Sequence, residues 1–359
     1  MTVRVPVGHP GASDAYTVTI GPDALDDLRR QLTKGRKVLI VAQPGRESLA
    51  EQVMAMATEF GAAPHLASIP DAEAAKEIHV VAGLWKQMGE ADFTRTDVVV
   101  SIGGGAATDM AGFAAATWLR GIDVVHLPTS LLAAVDAAVG GKTGINTPQG
   151  KNLVGSFFPP VAVLCDPDWF AQMPAADYAA GLAEVIKCGF ISDPVILDLI
   201  EGDPGAATDP CSPLAVELVT RAVRVKAEVV TADLKESSLR EILNYGHTLA
   251  HAIELAEDYR WRHGDAVAVG MVYAAELGVR SGRTPASVLQ RTRSILEQVG
   301  LPTGYAAAPW SQVRAAMSRD KKTRGSTLRF IVLDEIGVPS RLAGPEESDL
   351  SEAYQALSG

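Results

Sequence analysis

Hydrophobic and polar positions follow two rhythms along this chain. Up to about residue 175, short apolar runs alternate with helix-length amphipathic stretches. Lys37-Val38-Leu39-Ile40-Val41-Ala42 is apolar almost without interruption, the pattern of a parallel strand covered on both faces. Asp97-Val98-Val99-Val100-Ser101-Ile102 repeats it, and Val124-Val125-His126-Leu127-Pro128 is a shorter version. Helical spacing follows over 48–60 and 107–119. Strands alternating with helices predict an α/β N-terminal domain with a parallel, doubly wound, Rossmann-like sheet. The alternation from Met1 to Val7 suits an edge strand. From about Gly181 onward strand signals nearly vanish, and helices are expected over 214–231, 238–258, 266–281 and 285–299. The expected division is an α/β domain over 1–175 and a mainly α-helical domain over 176–359. A loop-rich stretch, 140–160, is expected near the join.

Composition narrows the class. At 359 residues the chain is long enough for two cores. With 47% hydrophobic and 21% charged residues it reads as globular, not disordered. A net charge of −11 excludes attraction to nucleic acid or anionic membrane through the overall field. Local lysine clusters therefore stand out. Cys165, Cys188 and Cys211 are odd in number and form no Cys-x-x-Cys pair, which points to reduced thiols in a cytoplasmic protein. No signal-peptide pattern opens the sequence. The longest uncharged, mostly apolar run, Ala266–Ala275, is about half the ~20 residues that span a bilayer.

Gly103-Gly104-Gly105 ends one strand signal and opens a helix signal. Glycines let a backbone approach a phosphate, and the helix start offers free N–H groups and a positive dipole end. The spacing to Asp109 is not that of the usual dinucleotide fingerprint, so a tight strand–helix turn is the plain alternative. The stretch Asp71-Ala72-Glu73-Ala74-Ala75-Lys76 can supply an acidic group for a ribose. Gly140-Gly141-Lys142-Thr143 resembles part of a P-loop, but the position that needs the first glycine holds Asp136, which rejects an ATPase or GTPase.

Arg240, Asn244, His247, His251 and Glu254 fall within about 40° of one line if the segment is one helix. That stripe offers a bidentate cation, an amide and two imidazoles. His263 follows within reach of a turn. Glu184 sits in an apolar helix with Lys187 one turn on, on the same face. Two histidines and a carboxylate with an open position suit a catalytic divalent metal, while a paired structural charge is the simpler account of Glu184. Lys142, Lys151, Lys187, Lys226, Arg240 and Lys321-Lys322, with Asn152 and Asn244, would together suit a doubly anionic small molecule.

These residues carry a resemblance. The segments 103–109, 127–132, 135–144, Lys151-Asn152, 181–187 and 243–251 follow, in order and spacing, the pattern of 3-dehydroquinate synthases, which are lyases of the shikimate pathway that build an aromatic amino-acid precursor. The resemblance implies zinc or cobalt held by Glu184, His247 and His263. It implies NAD on Gly103, Gly104, Gly105, Ala106, Ala107, Thr108 and Asp109, with Thr129, Ser130, Lys142 and Lys151 nearby. Asp71, Glu73 and Lys76 would face the ribose, and Trp169 and Gln172 the adenine side. The substrate would be 3-deoxy-D-arabino-heptulosonate 7-phosphate, held by Lys142, Asn152, Lys187, Lys226, Arg240, Asn244 and His251, with Lys321 or Lys322 joining them. Asp136 and His251 would relay protons, and Arg120 would reach a neighbouring subunit's phosphate site in a homodimer.

The implied chemistry is oxidation of the C5 hydroxyl by NAD, phosphate elimination, re-reduction, ring opening and an intramolecular aldol closure. The sequence departs from the family's usual residues at Ala72 and Ala75, where Gly and Tyr are common, at Gln172, commonly Thr, and at Ser130, which keeps the hydroxyl of Thr. Rival readings are an aminodehydroquinate- or valiolone-type cyclase, an iron-type polyol dehydrogenase and a non-catalytic binding protein. Arg240 with Asn244 and His251 favours a carboxylated substrate over a plain sugar phosphate.

Overall fold

The computed structural model describes residues 1–236, 239–321 and 328–358. The chain forms two compact units, Met1–Gln172 with Lys226–Lys235, and Met173–Val225 with Glu236–Gly359.

The first unit runs β1 (Val3–Val7), β2 (Tyr16–Ile20), β3 (Lys37–Ala42), α1 (Glu47–Glu59), β4 (Ala63–Ser68), α2 (Ile78–Glu90), β5 (Val98–Gly103), α3 (Gly105–Thr117), β6 (Asp123–Pro128), β7 (Lys142–Thr147), β8 (Gly150–Phe157) and β9 (Ala162–Cys165). Seven strands form one sheet in the order β1-β2-β9-β6-β5-β3-β4, parallel except for the edge pair β1–β2. Both faces are covered, which explains the unbroken apolar runs. Val38, Ile40, Val100 and Ile102 pack with Leu49 and Val53 of α1. Leu39, Val41 and Val99 pack with Leu84 and Met88 of α2 and Met110 and Ala114 of α3 on the other face. Two polar side chains interrupt the central strands. Ser101 and His126 are register partners on β5 and β6, with Oγ and Nδ1 2.7 Å apart, and burial pushes the imidazole down to about 3.

The stretch 140–160, expected to be loop, is largely an antiparallel hairpin of β7 and β8, pairing Lys142 with Phe157 and Gly144 with Gly155. Leu153, Val154 and Phe157 of β8 are exposed, so no buried face imposes a readable alternation.

The second unit runs α4 (Ala175–Ile191), α5 (Val195–Gly202), α6 (Pro204–Ala207), α7 (Pro213–Ala232), α8 (His247–Ala256), α9 (His263–Arg280), α10 (Ala286–Gln298), α11 (Trp310–Lys321), β10 (Arg329–Glu335), β11 (Val338–Ala343) and α12 (Glu347–Gln355). From Lys226 onward α7 groups with the first unit, where Thr231 Oγ1 accepts from Gly8 N at 2.8 Å. α4 and α9 are buried along most of their length. Two expectations fail here. The β10–β11 hairpin turns at Gly337 in a region where strand signals nearly vanish and none was placed. The helix expected over 238–258 is instead a 3-10 turn, Leu239–Asn244, followed by α8. The break is Gly246, in the left-handed region at φ 82. A Cβ there would lie 2.8 Å from Met271 N and 3.0 Å from Val267 O, so close packing of this turn on α9 excludes any side chain. Among the described residues no helix is long and apolar enough to cross a membrane.

Candidate active site

In the first unit, Gly103–Gly105 joins β5 to α3 at the point where the sheet order reverses, with β4 on one side of β3 and β5 on the other. Open α/β sheets bind ligands outside the strand carboxyl ends at such a point. Gly104 N donates to Gln43 Oε1 at 2.7 Å, and a methyl at Gly103 would lie 2.4 Å from that same oxygen. The strand end therefore keeps its bare backbone, as a phosphate cradle requires. Gln43 was not singled out in the sequence, although it directly follows the β3 run. Thr129 N closes on Gly103 O at 2.9 Å, and Ser130 Oγ accepts from Ala133 N at 3.3 Å. Thr108 Oγ1 donates to Gly105 O at 2.9 Å, while Ala106 and Ala107 lie in the first turn of α3.

The turn 71–76 is tied to the hairpin. Buried Lys76 donates to Asp109 Oδ2 at 2.6 Å and also to Asn152 Oδ1. Burial pushes the Asp109 carboxyl up against the opposing pull of Lys76. Glu73 accepts from Asn146 Nδ2 at 2.6 Å and lies 3.6 Å from Lys151 Nζ. Asn152 itself has φ 57, a conformation that Asn tolerates well. Asp71 Oδ1 accepts from Ala72 N at 2.8 Å, and Ala72 has φ 48, so the position where the family commonly has Gly does demand a left-handed backbone. Trp169 packs partly buried against the α1 face, and exposed Gln172 accepts from Arg46 Nη1 at 3.0 Å. Lys226 donates to both the backbone oxygen and Oδ1 of Asp136. Lys142 is exposed at the start of β7, and Arg120 is exposed after Leu119, both residues with positive φ.

In the second unit, Glu184 of α4, His247 of α8 and His263 of α9 converge, with ligand atoms within 4.8 Å of one another. Each side chain is held from behind. Lys187 donates to Glu184 Oε2, one helical turn away, as the spacing predicted. His247 Nδ1 lies 3.2 Å from Tyr245 O, and His263 Nδ1 lies 3.2 Å from Glu254 Oε2. With Nδ1–H donating, both Nε2 atoms present lone pairs toward Glu184 Oε1, at 3.3 and 3.7 Å. That oxygen is buried without a hydrogen-bond partner. Two aimed imidazoles around an orphaned carboxylate oxygen fit a divalent metal. His263 reaches the site because Gly264 lets α9 approach α4: a Cβ there would lie 1.8 Å from Ala180 O. Burial would raise the Glu184 carboxyl, but the adjacent Lys187 ammonium pulls against it and holds it well below the usual carboxylate range. Burial and Lys187 push His247 down to about 4.

Arg240 is buried in the 3-10 turn, and Asn244 Nδ2 donates to Glu236 Oε1 at 3.2 Å. Arg240 and Asn244 therefore do not continue the face of α8, contrary to the single-helix reading. The exposed ring of His251 lies 5.5 Å from that of His247 and 6.2 Å from that of His263. Glu236 has no local signal of its role, while Glu254, which the sequence placed on the polar stripe, holds His263. Lys322 and the side chain of Lys321 lie outside the described residues.

Comparison with known proteins places this arrangement. Residues 66–180 match the 3-dehydroquinate synthase N-terminal family and residues 181–323 the 3-dehydroquinate synthase C-terminal family. The 3-dehydroquinate synthase of Thermobifida fusca is 54% identical over 361 residues, covering 100% of this chain and 98% of the relative. This chain belongs to the 3-dehydroquinate synthase family. Among solved structures, a 2-epi-5-epi-valiolone synthase from Streptomyces hygroscopicus with NAD+ and Zn2+ bound is 28% identical at a TM-score of 0.87, over 95% of this chain and 96% of that one. A 2-deoxy-scyllo-inosose synthase complexed with carbaglucose-6-phosphate, NAD+ and Co2+ shares the fold at a TM-score of 0.88 and 24% identity, over 99% and 100% of the two chains. The glycine cradle and the metal triad thus stand in a 3-dehydroquinate synthase family chain whose structural neighbours carry a nicotinamide dinucleotide and a divalent metal.

Proposed function

We propose that this chain converts 3-deoxy-D-arabino-heptulosonate 7-phosphate to 3-dehydroquinate and phosphate, as a phosphorus–oxygen lyase. One observation carries the reading: a chain 54% identical from end to end to a 3-dehydroquinate synthase also holds a converged Glu184–His247–His263 triad. NAD, when bound, supplies a reversible hydride acceptor, and zinc or cobalt, when bound, supplies Lewis acidity.

The protein's own side chains do the rest. Arg240, buried and planar, suits the substrate carboxylate, which a point charge would hold less specifically. Lys142, Asn152, Lys187, Lys226 and Asn244 bind hydroxyls and phosphate. Lys226 is already oriented by Asp136. His251 and Asp136 take and return protons, His251 from an exposed ring beside the triad. Gly103–Asp109, Thr129, Ser130 and Lys151 hold the dinucleotide, with Asp71, Glu73 and Lys76 at its ribose and Trp169 and Gln172 on the adenine side. Fixing both reactants in place supplies much of the rate. The paired positive-φ residues Leu119 and Arg120 leave Arg120 exposed, and this supports a homodimer in which Arg120 serves the neighbouring subunit's phosphate site. That the three cysteines form no disulfide among the described residues supports a cytoplasmic setting.

The test is phosphate release from that substrate with catalytic NAD and added zinc or cobalt. Stoichiometric phosphate, dehydroquinate as product and no net NADH are expected. A chelator should abolish release and the metal should restore it. No release from protein shown to bind both NAD and metal would redirect the reading to an amino analogue or another cyclase substrate.

A further inference from the structure

We propose that Arg46 receives a 2′-phosphate on the adenosine ribose, so that this chain takes NADP as well as NAD; the inference rests on the nucleotide reading above. Arg46 follows β3 and Asp71 follows β4, so both lie past the carboxyl ends of adjacent strands at the reversal of the sheet. In dinucleotide folds a carboxylate at the ribose hydrogen-bonds the 2′-hydroxyl, while an arginine nearby accommodates a 2′-phosphate.

Asp71 and Glu47, the carboxylates that Arg46 feels, each accept a hydrogen bond from a nearby backbone N–H and form no ion pair with the guanidinium. Asp71 Oδ1 caps its own turn by accepting from Ala72 N at 2.8 Å. Glu47 Oε1 accepts from Gly45 N at 2.9 Å. Among the described residues Arg46 forms no ion pair, and its hydrogen bond goes to the neutral amide oxygen of Gln172 at 3.0 Å. An amide orients a guanidinium without neutralising it. Arg46 is also half-buried, and burial works against its charge more than Asp71 and Glu47 support it. A partly desolvated, oriented guanidinium with no direct carboxylate partner among the described residues gains from contact with a phosphate dianion. Gln172 departs from the family's common Thr, and its longer side chain is what reaches Arg46. The arginine–glutamine pair thus acts as one specificity element.

The experiment is calorimetric titration of NAD and NADP, separately and without sugar phosphate, into the wild-type chain and into Arg46→Ala, Arg46→Lys and Gln172→Thr. Wild type should bind NADP within about tenfold of NAD. Arg46→Ala should weaken NADP by about tenfold or more while NAD shifts less than about threefold, the size of one charged hydrogen bond lost on one ligand alone. Arg46→Lys should retain part of the NADP affinity, and Gln172→Thr should lose part of it. For the Arg46 variants the nearly unchanged NAD affinity also serves as the check on folding. Wild type that binds NAD but not NADP overturns the inference, as does Arg46→Ala weakening both ligands equally. Failure to bind either dinucleotide would instead sink the nucleotide reading itself.

Discussion

The proposed metal triad and the proposed nucleotide cradle are built by opposite means. Glu184, His247 and His263 come from three helices, and the back of each side chain is gripped by Lys187, Tyr245 O or Glu254. The proposed cradle rests on bare backbone at Gly103–Gly104 and on turns, including the one at Ala72 with φ 48 and the exposed Gln172. A metal needs its few ligand atoms fixed within tenths of an ångström, so they are set into the core. A dinucleotide spreads its binding over many contacts, so single positions around it can change. The departures at Ala72, Ala75 and Gln172 all fall in this second region.

That contrast can be broken experimentally. The largest effect is expected for Glu184→Ala, which strands the Lys187 ammonium in the core and should cost about 3–5 kcal/mol in denaturant unfolding as well as the metal. A loss near zero would mean that the triad is not part of the core. His247→Ala should also empty the metal site, read by elemental analysis, but with only about 1 kcal/mol of destabilisation because no buried charge is orphaned. Unchanged metal content would remove His247 from the ligand set. Glu254→Ala should loosen metal by about 10–100-fold in a competition titration with a chromophoric chelator, since it frees the back of His263. An unaltered affinity would show that grip from behind is not what defines the metal region. The smallest effect belongs to the cradle. Ala72→Gly should raise unfolding stability by about 1 kcal/mol through relief of the left-handed backbone, with NAD affinity little changed. Destabilisation there would show the turn to be as constrained as the metal site.

What the sequence revealed follows from which signals are local. The runs at β3 and β5 were readable because both sheet faces are covered, and Glu184 with Lys187 because a helix sets their spacing. The segment 240–254 misled because its polar residues fit a helical period, while Gly246, the residue that breaks it, is required by contact with α9. The hairpin at Arg329–Ala343 carries a buried Phe330–Leu333 run with a glycine turn, but its helical surroundings masked it. Glu236 and Gln43 remained invisible, and Glu254 was seen only as part of a polar stripe, because their partners meet them only in the folded chain. The burial of Lys76 was hidden for the same reason, its carboxylate partner lying on a different helix.

The grouping of Lys226–Lys235 with the N-terminal sheet has a consequence for synthesis. A ribosome emitting this chain finishes residue 172 and must then produce roughly sixty more residues before the first unit has all its parts, a wait of about 3–12 s at ~5–20 residues per second. During that interval the nascent sheet lacks the Lys226 partner of Asp136 and the Thr231 partner of Gly8. Completion of the N-terminal unit is therefore timed by translation of the segment that follows it.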